Sequence, residues 1–207
     1  MEKFNLSKAY KSYYSAKNEP ELVQVEAAQF LSVRGKGDPS EKIFELKIKA
    51  LYSIAYAVKF ILKARESDFI VAKLEALWWF DEEKYKEITI TEAALKVPRA
   101  EWEYRLLIRM PDFVTREDIE NAIETVFWKK KMLLAREVEL FSMNEGKSVQ
   151  MLHTGPFNKE VETLAKMNEF MQKHKLMKSG LHHEIYLSDF AKTAPGKLKT
   201  ILREPIK

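Results

Sequence analysis

The chain has 207 residues, 46% of them hydrophobic, enough for one domain with a substantial core. Cysteine is absent, which excludes disulfides, a thiolate nucleophile and a cysteine-based zinc site. The 35 basic and 31 acidic residues leave a net charge of +4, and they are interspersed, so no nucleic-acid surface is expected.

No N-terminal run resembles a signal peptide, and no stretch is long enough to cross a bilayer. A cytoplasmic protein is expected, without membrane contact and with a monomer favoured. In chain order, Ala27 to Val33 reads as the first strand. Only about 25 residues precede it, too few for a helix-turn-helix reader. The strand runs into Arg34-Gly35-Lys36-Gly37-Asp38. This G-x-G lacks the third glycine of a dinucleotide fingerprint and reads as a tight turn. Asp38 is placed to cap a helix, with Pro39 at its first position and Glu41 at its third. Phe44, Ile48, Leu51, Ala55, Val58 and Leu62 then form one apolar helical stripe. Ile70 to Phe80 and Trp102 to Met110 read as strands. Thr115 to Asp118 resembles a capping box opening a connector helix.

The same grammar then returns. Ser148 to His153 reads as a strand, and a helix follows from about Asn158 to His174, with Glu160, Leu164, Met167 and Met171 along one line. His183 to Ser188 and Lys199 to Arg203 read as further strands. Strand, helix, strand, strand, twice over, suggests a duplication. The expected fold is α+β: two tandem strand-helix-strand-strand modules forming a pseudo-two-fold antiparallel sheet. Helices would cover one face, and a ligand groove would lie on the other. The modules are expected at about 23–112 and 136–205 of a single domain, with the connector at about 115–132.

Alternation assigns the chemistry-bearing residues to faces. In His182 to Asp189, Glu184 and Tyr186 share one face, while His183, Ile185 and Leu187 share the other. An acid beside a phenol on an apolar strand suits a site; a solvent-facing Glu is the plainer alternative. In Leu74 to Trp79, Glu75, Leu77 and Trp79 share a face opposite to Leu74, Ala76 and Trp78. Trp102 and Tyr104 share a face, and Tyr52 and Tyr56 lie one helical turn apart. Each aromatic alone suits a core as well as a site. Together, aromatic walls with a few polar groups suit a pocket for flat or cationic small molecules. His182 and His183 point opposite ways and cannot chelate one metal together. His153 could face the groove or be a hydrogen-bonded strand residue. Neither metal nor cofactor is expected, and no G-x-S-x-G elbow is present.

Several runs resemble one family. They are LEALWW (Leu74 to Trp79), IRMPDFV (Ile108 to Val114), NEGKSVQMLHTGPF (Asn144 to Phe157), HHEIYLSD (His182 to Asp189) and TILR (Thr200 to Arg203). Together they resemble the GyrI-like small-molecule-binding family over nearly the whole chain, and its cyclopropanoid cyclohydrolase branch in particular. That resemblance implies a metal-independent hydrolase that opens the cyclopropane ring of DNA-alkylating natural products of the yatakemycin and duocarmycin type. It implies an aromatic cage, and it places the motif acid at Glu184, the motif tyrosine at Tyr186 and the tryptophan pair at Trp78 and Trp79. Tyr52, Tyr56, Glu75, Trp102, His153 and Phe157 complete the expected substrate-binding set. Hydrophobic aromatic small molecules are the expected partners, and a non-catalytic binder that sequesters aromatic or cationic compounds is the alternative.

Overall fold

The structure, a computed structural model, describes residues 3–86, 88, 92–93 and 96–207. Its chief element is an eight-stranded antiparallel sheet. In chain order the elements are β1 (Phe4–Asn5), α1 (Leu6–Ala9), β2 (Glu21–Val25), β3 (Ala28–Lys36), α2 (Lys42–Ala64), β4 (Phe69–Ile70) and β5 (Leu74–Trp79). They continue as β6 (Glu103–Met110), α3 (Arg116–Lys130), β7 (Glu139–Met143), β8 (Gly146–Thr154), α4 (Glu160–Lys173), β9 (His182–Tyr186) and β10 (Lys199–Pro205). The fold class is α+β, as the periodicity implies.

The strand order is β2-β8-β10-β9-β5-β6-β3-β7. It is symmetric about the central β9–β5 pair. On one side stand β5, β6 and β3 of the first strand-helix-strand-strand unit. On the other stand β9, β10 and β8 of the second. The outermost strands are exchanged: β2 leads into β3 but pairs with β8, and β7 leads into β8 but pairs with β3. Each unit thus closes the other's open edge, which covers backbone groups that would otherwise be unpaired.

The helices follow from their stripes. On α2, Phe44, Leu51, Ala55, Val58 and Leu62 are buried in one cluster with Leu31, Val33, Leu74, Ala76, Leu106 and Ile108 of the sheet. Each such Phe, Leu, Ile or Val side chain stabilises the fold by roughly 1.5–3 kcal/mol. On α4, Leu164, Met167 and Met171 pack on Val149, Met151 and Leu202. The connector α3 opens on the expected capping box of Thr115 and Asp118 and lays Ile119, Ala122 and Val126 into the first cluster.

Some boundaries move for local reasons. Helix α2 begins at Lys42 rather than after Asp38, because the Asp38 carboxylate accepts from the Ser40 amide and hydroxyl, both at 2.8 Å, and closes a turn first. A short 3-10 turn, Phe157–Lys159, likewise precedes α4. The expected strand from Ile70 to Phe80 is two: Ile70 belongs to β4, which pairs in parallel with β1, and β5 begins at Leu74. At Gly35 a Cβ would lie 2.2 Å from the Tyr104 ring, so glycine is what lets that ring lie across β3.

Candidate functional site

Register decides which side chains meet. Glu184 of β9 stands opposite Ala76 of β5 and Leu202 of β10. Leu202 lies under α4 and Ala76 in the α2 cluster, so Glu184 faces the helices. Alternation puts Tyr186 and Trp78 on the same face. Ala76 contributes only a methyl group between them, and Trp78 and Tyr186 meet despite starting at opposite ends of the strand pair. The Trp78 Nε1–H donates to the Tyr186 hydroxyl at 3.2 Å. That hydroxyl donates in turn to Glu184 Oε2 at 2.7 Å.

The other Glu184 oxygen lies 3.4 Å from His182 Nε2. His182 Nδ1 lies 2.6 Å from Glu204 Oε1, and Lys178 Nζ is 3.2 Å from the second Glu204 oxygen. Burial pulls the His182 imidazole down, but the Glu204 carboxylate and the contact with Glu184 outweigh it and hold the group up at about 10. His182 is therefore an imidazolium at neutral pH, and it fixes Glu184 from one side while Tyr186 fixes it from the other. Burial first, and the Glu184 charge second, push the Tyr186 phenol well above its ordinary value.

Aromatic rings flank Tyr186 and Trp78. Phe157 and Phe190 stand edge-on to Tyr186 at 5.8 and 6.0 Å, and each is 41% exposed. Trp78 stacks on Phe44 at 5.9 Å and touches Tyr104 and Trp102 at 5.5 and 6.4 Å. On α2, Tyr52 is half-buried and Tyr56 is 48% exposed. Burial, then the neighbouring Tyr56 and Asp189, push the Tyr52 phenol up to about 12.

A second carboxyl faces the same space. Glu160, in the first turn of α4, is buried, and its Oε1 has no hydrogen-bond partner among the described residues. A helix N-terminus favours a carboxylate by only ~0.3–1 kcal/mol at an exposed position. Full burial can disfavour it by roughly 4–7 kcal/mol. Burial wins, the Glu184 charge adds to it against the opposing pull of His182, and Glu160 is raised well above the carboxylate range. His153 is occupied in holding the fold. Its Nδ1 bonds Thr163 Oγ1 at 2.8 Å and its Nε2 lies 3.3 Å from the Pro156 carbonyl, tying the start of α4 to β8.

The helix-free face differs from expectation. Its centre is covered by the N-terminal segment. Tyr13 donates to Glu75 Oε2 at 2.5 Å, and Tyr14 reaches Glu75 Oε1 at 3.4 Å. Arg109 stacks on the rings of Tyr10 and Tyr13. Glu75 is fully buried there, bonded to His183 Nε2 at 3.0 Å; His183 Nδ1 meets Glu145 Oε1 at 2.9 Å, and Arg203 meets Glu145 Oε2 at 3.0 Å. The expected site residues are thus divided. Glu184, Tyr186, Trp78, Trp102 and Phe157 are linked by contacts, whereas Tyr52 and Tyr56 of α2 neighbour each other and Asp189. Glu75 and Trp79 lie on the opposite face, because strand alternation separates Trp79 from Trp78 and Glu75 from Glu184's partner Ala76.

Sequence reasoning missed Phe44, Phe190, the His182–Glu204 pair and the role of Glu160. One signal was present for the last: an acid at the head of the otherwise apolar line Leu164, Met167, Met171. Glu204 lies one residue beyond the expected end of β10, so its face could not be read. Among the described residues, no cluster of three or more His, Asp or Glu side chains has metal-holding geometry, and no helix is long and apolar enough to cross a membrane.

Comparison with known proteins agrees with this architecture. The family model for the GyrI-like small molecule binding domain matches residues 18–207. An uncharacterised conserved protein from Listeria innocua has a similar solved structure, with 37% identity and a TM-score of 0.88 over 99% of this chain and all of its own. A protein described as a hydrolase from Listeria innocua is also 37% identical, with a TM-score of 0.85 over 99% of this chain and all of that one. The C-terminal domain of EcmrR shares the fold at 10% identity, with a TM-score of 0.59 over 91% of this chain and 97% of its own. No curated protein matches significantly.

Proposed function

Since the chain belongs to the family of GyrI-like small-molecule-binding domains, we propose that it is a hydrolase that opens the cyclopropane ring of cyclopropanoid DNA-alkylating natural products of the yatakemycin and duocarmycin type. The observation that carries this reading is Glu184, held between an imidazolium and a phenol whose ring is met edge-on by Phe157 and Phe190. The similar Listeria protein described as a hydrolase supports it. In these substrates the cyclopropane is fused to a cyclohexadienone, and ring opening restores an aromatic phenol. Much of the driving force therefore lies in the substrate.

The protein must bind a flat molecule, place a water and accept its proton. Glu184 has the position of a general base toward that water. Tyr186 already donates its proton to Glu184, so its part is to orient the carboxylate. Tyr52 on α2, whose hydroxyl meets the Leu74 backbone and whose phenol burial holds protonated, would donate a hydrogen bond to the dienone oxygen. General acid–base help of this kind is worth about 100- to 10,000-fold. Trp78 and Trp102 supply ring faces for the flat substrate and for positive charge at the attacked carbon.

Tryptophan contacts give a direct binding test. A planar cyclopropanoid is expected to quench tryptophan fluorescence, and Trp78→Ala is expected to weaken its binding by ~2 kcal/mol or more, as for a buried aromatic anchor. Trp79→Ala, on the far face, is expected to leave affinity unchanged. The reverse pattern in titration would place the ligand on the helix-free side. The second reading, a binder that sequesters aromatic cations, is favoured by the Glu184 charge beneath the rings; it predicts protection of a drug without ring-opened product.

A further inference from the structure

The site holds one ionisable group that binding and base catalysis leave unused. Glu160 projects from the first turn of α4, just after the turn in which Phe157 packs against Tyr186. It is buried, and one of its oxygens is unpartnered among the described residues. The groups facing it are Glu184, His182 and Tyr186 of β9, with Glu204 of β10 and Lys178 standing behind His182.

The other acids near Glu184 are committed. The only Tyr186 proton lies on the bond to Glu184. Both His182 nitrogens face carboxylates, and losing that proton would leave Glu204 buried with only Lys178 to offset its charge. Two carboxylates in one water-poor space cannot both carry charge cheaply. Glu184 has the imidazolium and the phenol to stabilise its charge. Glu160 hydrogen-bonds to neither among the described residues, and the imidazolium pulls on it only through space, so Glu160 is the better place for the proton. This division of labour, a neutral acid beside an ionised partner, is what separate environments produce from two like groups.

We infer that Glu160 is the acid partner of Glu184, giving its proton to the oxygen that gains charge as the ring opens. The inference rests on the hydrolase reading. The step balances without any co-reactant. Water oxygen forms a bond to the cyclopropane carbon, and the strained C–C bond breaks. Its electron pair moves through the ring to the dienone oxygen. The water proton passes to the Glu184 carboxylate, and the Glu160 proton passes to the new phenolate. One proton then returns from Glu184 to Glu160, with no net change in the protein.

Infrared difference spectra and pH–rate profiles test this independently. In substrate-free protein at pH 7, a protonated-carboxyl carbonyl band is expected in the wild type and in Glu184→Gln, and is expected to vanish in Glu160→Gln. With a cyclopropanoid substrate, Glu160→Gln is expected to lower kcat by ~100-fold with KM little changed, and to lose the alkaline limb set by Glu160. Glu160→Met, which buries no polar group, guards against a folding defect: it should bind the substrate normally and be as slow as the Gln variant. A band that survives Glu160→Gln, or full kcat in both variants with an unchanged alkaline limb, overturns the inference. A wild type that shows the Glu160 band but opens no ring overturns the hydrolase reading and the transfer step, with the resting proton still assigned.

Discussion

Glu184→Gln is expected to cut ring-opening turnover by ~100-fold or more while leaving affinity for a neutral cyclopropanoid within about threefold. The amide fills the same volume and still accepts from Tyr186 at one oxygen. It cannot take a proton from water. Its NH2 end would face the imidazolium of His182, so the residue would orient with its oxygen toward one neighbour only. Stopped or slow turnover with unchanged fluorescence quenching is the result that fits a base. Full multiple-turnover activity in the Gln variant would remove Glu184 from the chemistry. Glu75 is a poor substitute, since it is sealed on the far face under Tyr13 and Tyr14.

Arg203→Ala is expected to give the largest loss of stability, about 3–5 kcal/mol, because it strands Glu145 as a buried, half-compensated charge. Arg203 is fully buried and bonds Glu145, Gln150 and the Tyr13 carbonyl, so its loss also loosens the N-terminal segment from the sheet. Chemical denaturation measures this, and a change below about 1 kcal/mol would show that the network is not what fastens that segment. The same cluster sets a pH dependence. Burial pulls His183 down, but Glu145 and Glu75 outweigh it and raise it from 6.5 to about 9. Its contribution is thus complete below pH 6.5 and is lost as pH rises through about 9. Burial pushes Glu145 up, but His183 and Arg203 outweigh it and lower it from 4.5 to about 2. That contribution is complete above pH 4.5 and is lost as pH falls through about 2. Stability from the cluster is therefore greatest between pH 4.5 and 6.5, and His183→Gln should flatten the alkaline fall.

Much of the fold was legible because its signals are local. The α2 stripe, the Thr115–Asp118 box and the alternation in β5 and β9 each follow from spacing alone. The symmetric sheet was legible as repetition. The exchanged strands β2 and β7 were not, since their pairing is long-range and nothing in five residues names a partner. The site was legible one strand at a time. Parity correctly separated Trp78 from Trp79 and His182 from His183, but it could not say which face the helices cover. That choice depended on the N-terminal segment: Tyr10, Tyr13 and Tyr14 fill the helix-free side, and no periodic pattern marks residues 10–14 as a cover. Glu160 and Glu204 were hidden for a different reason. Their weight comes from burial beside Glu184 and His182, which only the packed structure brings together.

Glu184 and the aromatic rings near it are expected to catalyse hydrolysis rather than merely hold a ligand. The most direct measurement is product counted per enzyme molecule by mass spectrometry. A cyclopropane-containing dienone in large excess over protein would be incubated in water enriched in oxygen-18. Many ring-opened molecules per protein are expected, each carrying the heavy oxygen at the former cyclopropane carbon, at a rate well above that in buffer. At most one altered molecule per protein, or ring opening no faster than in buffer, would contradict it.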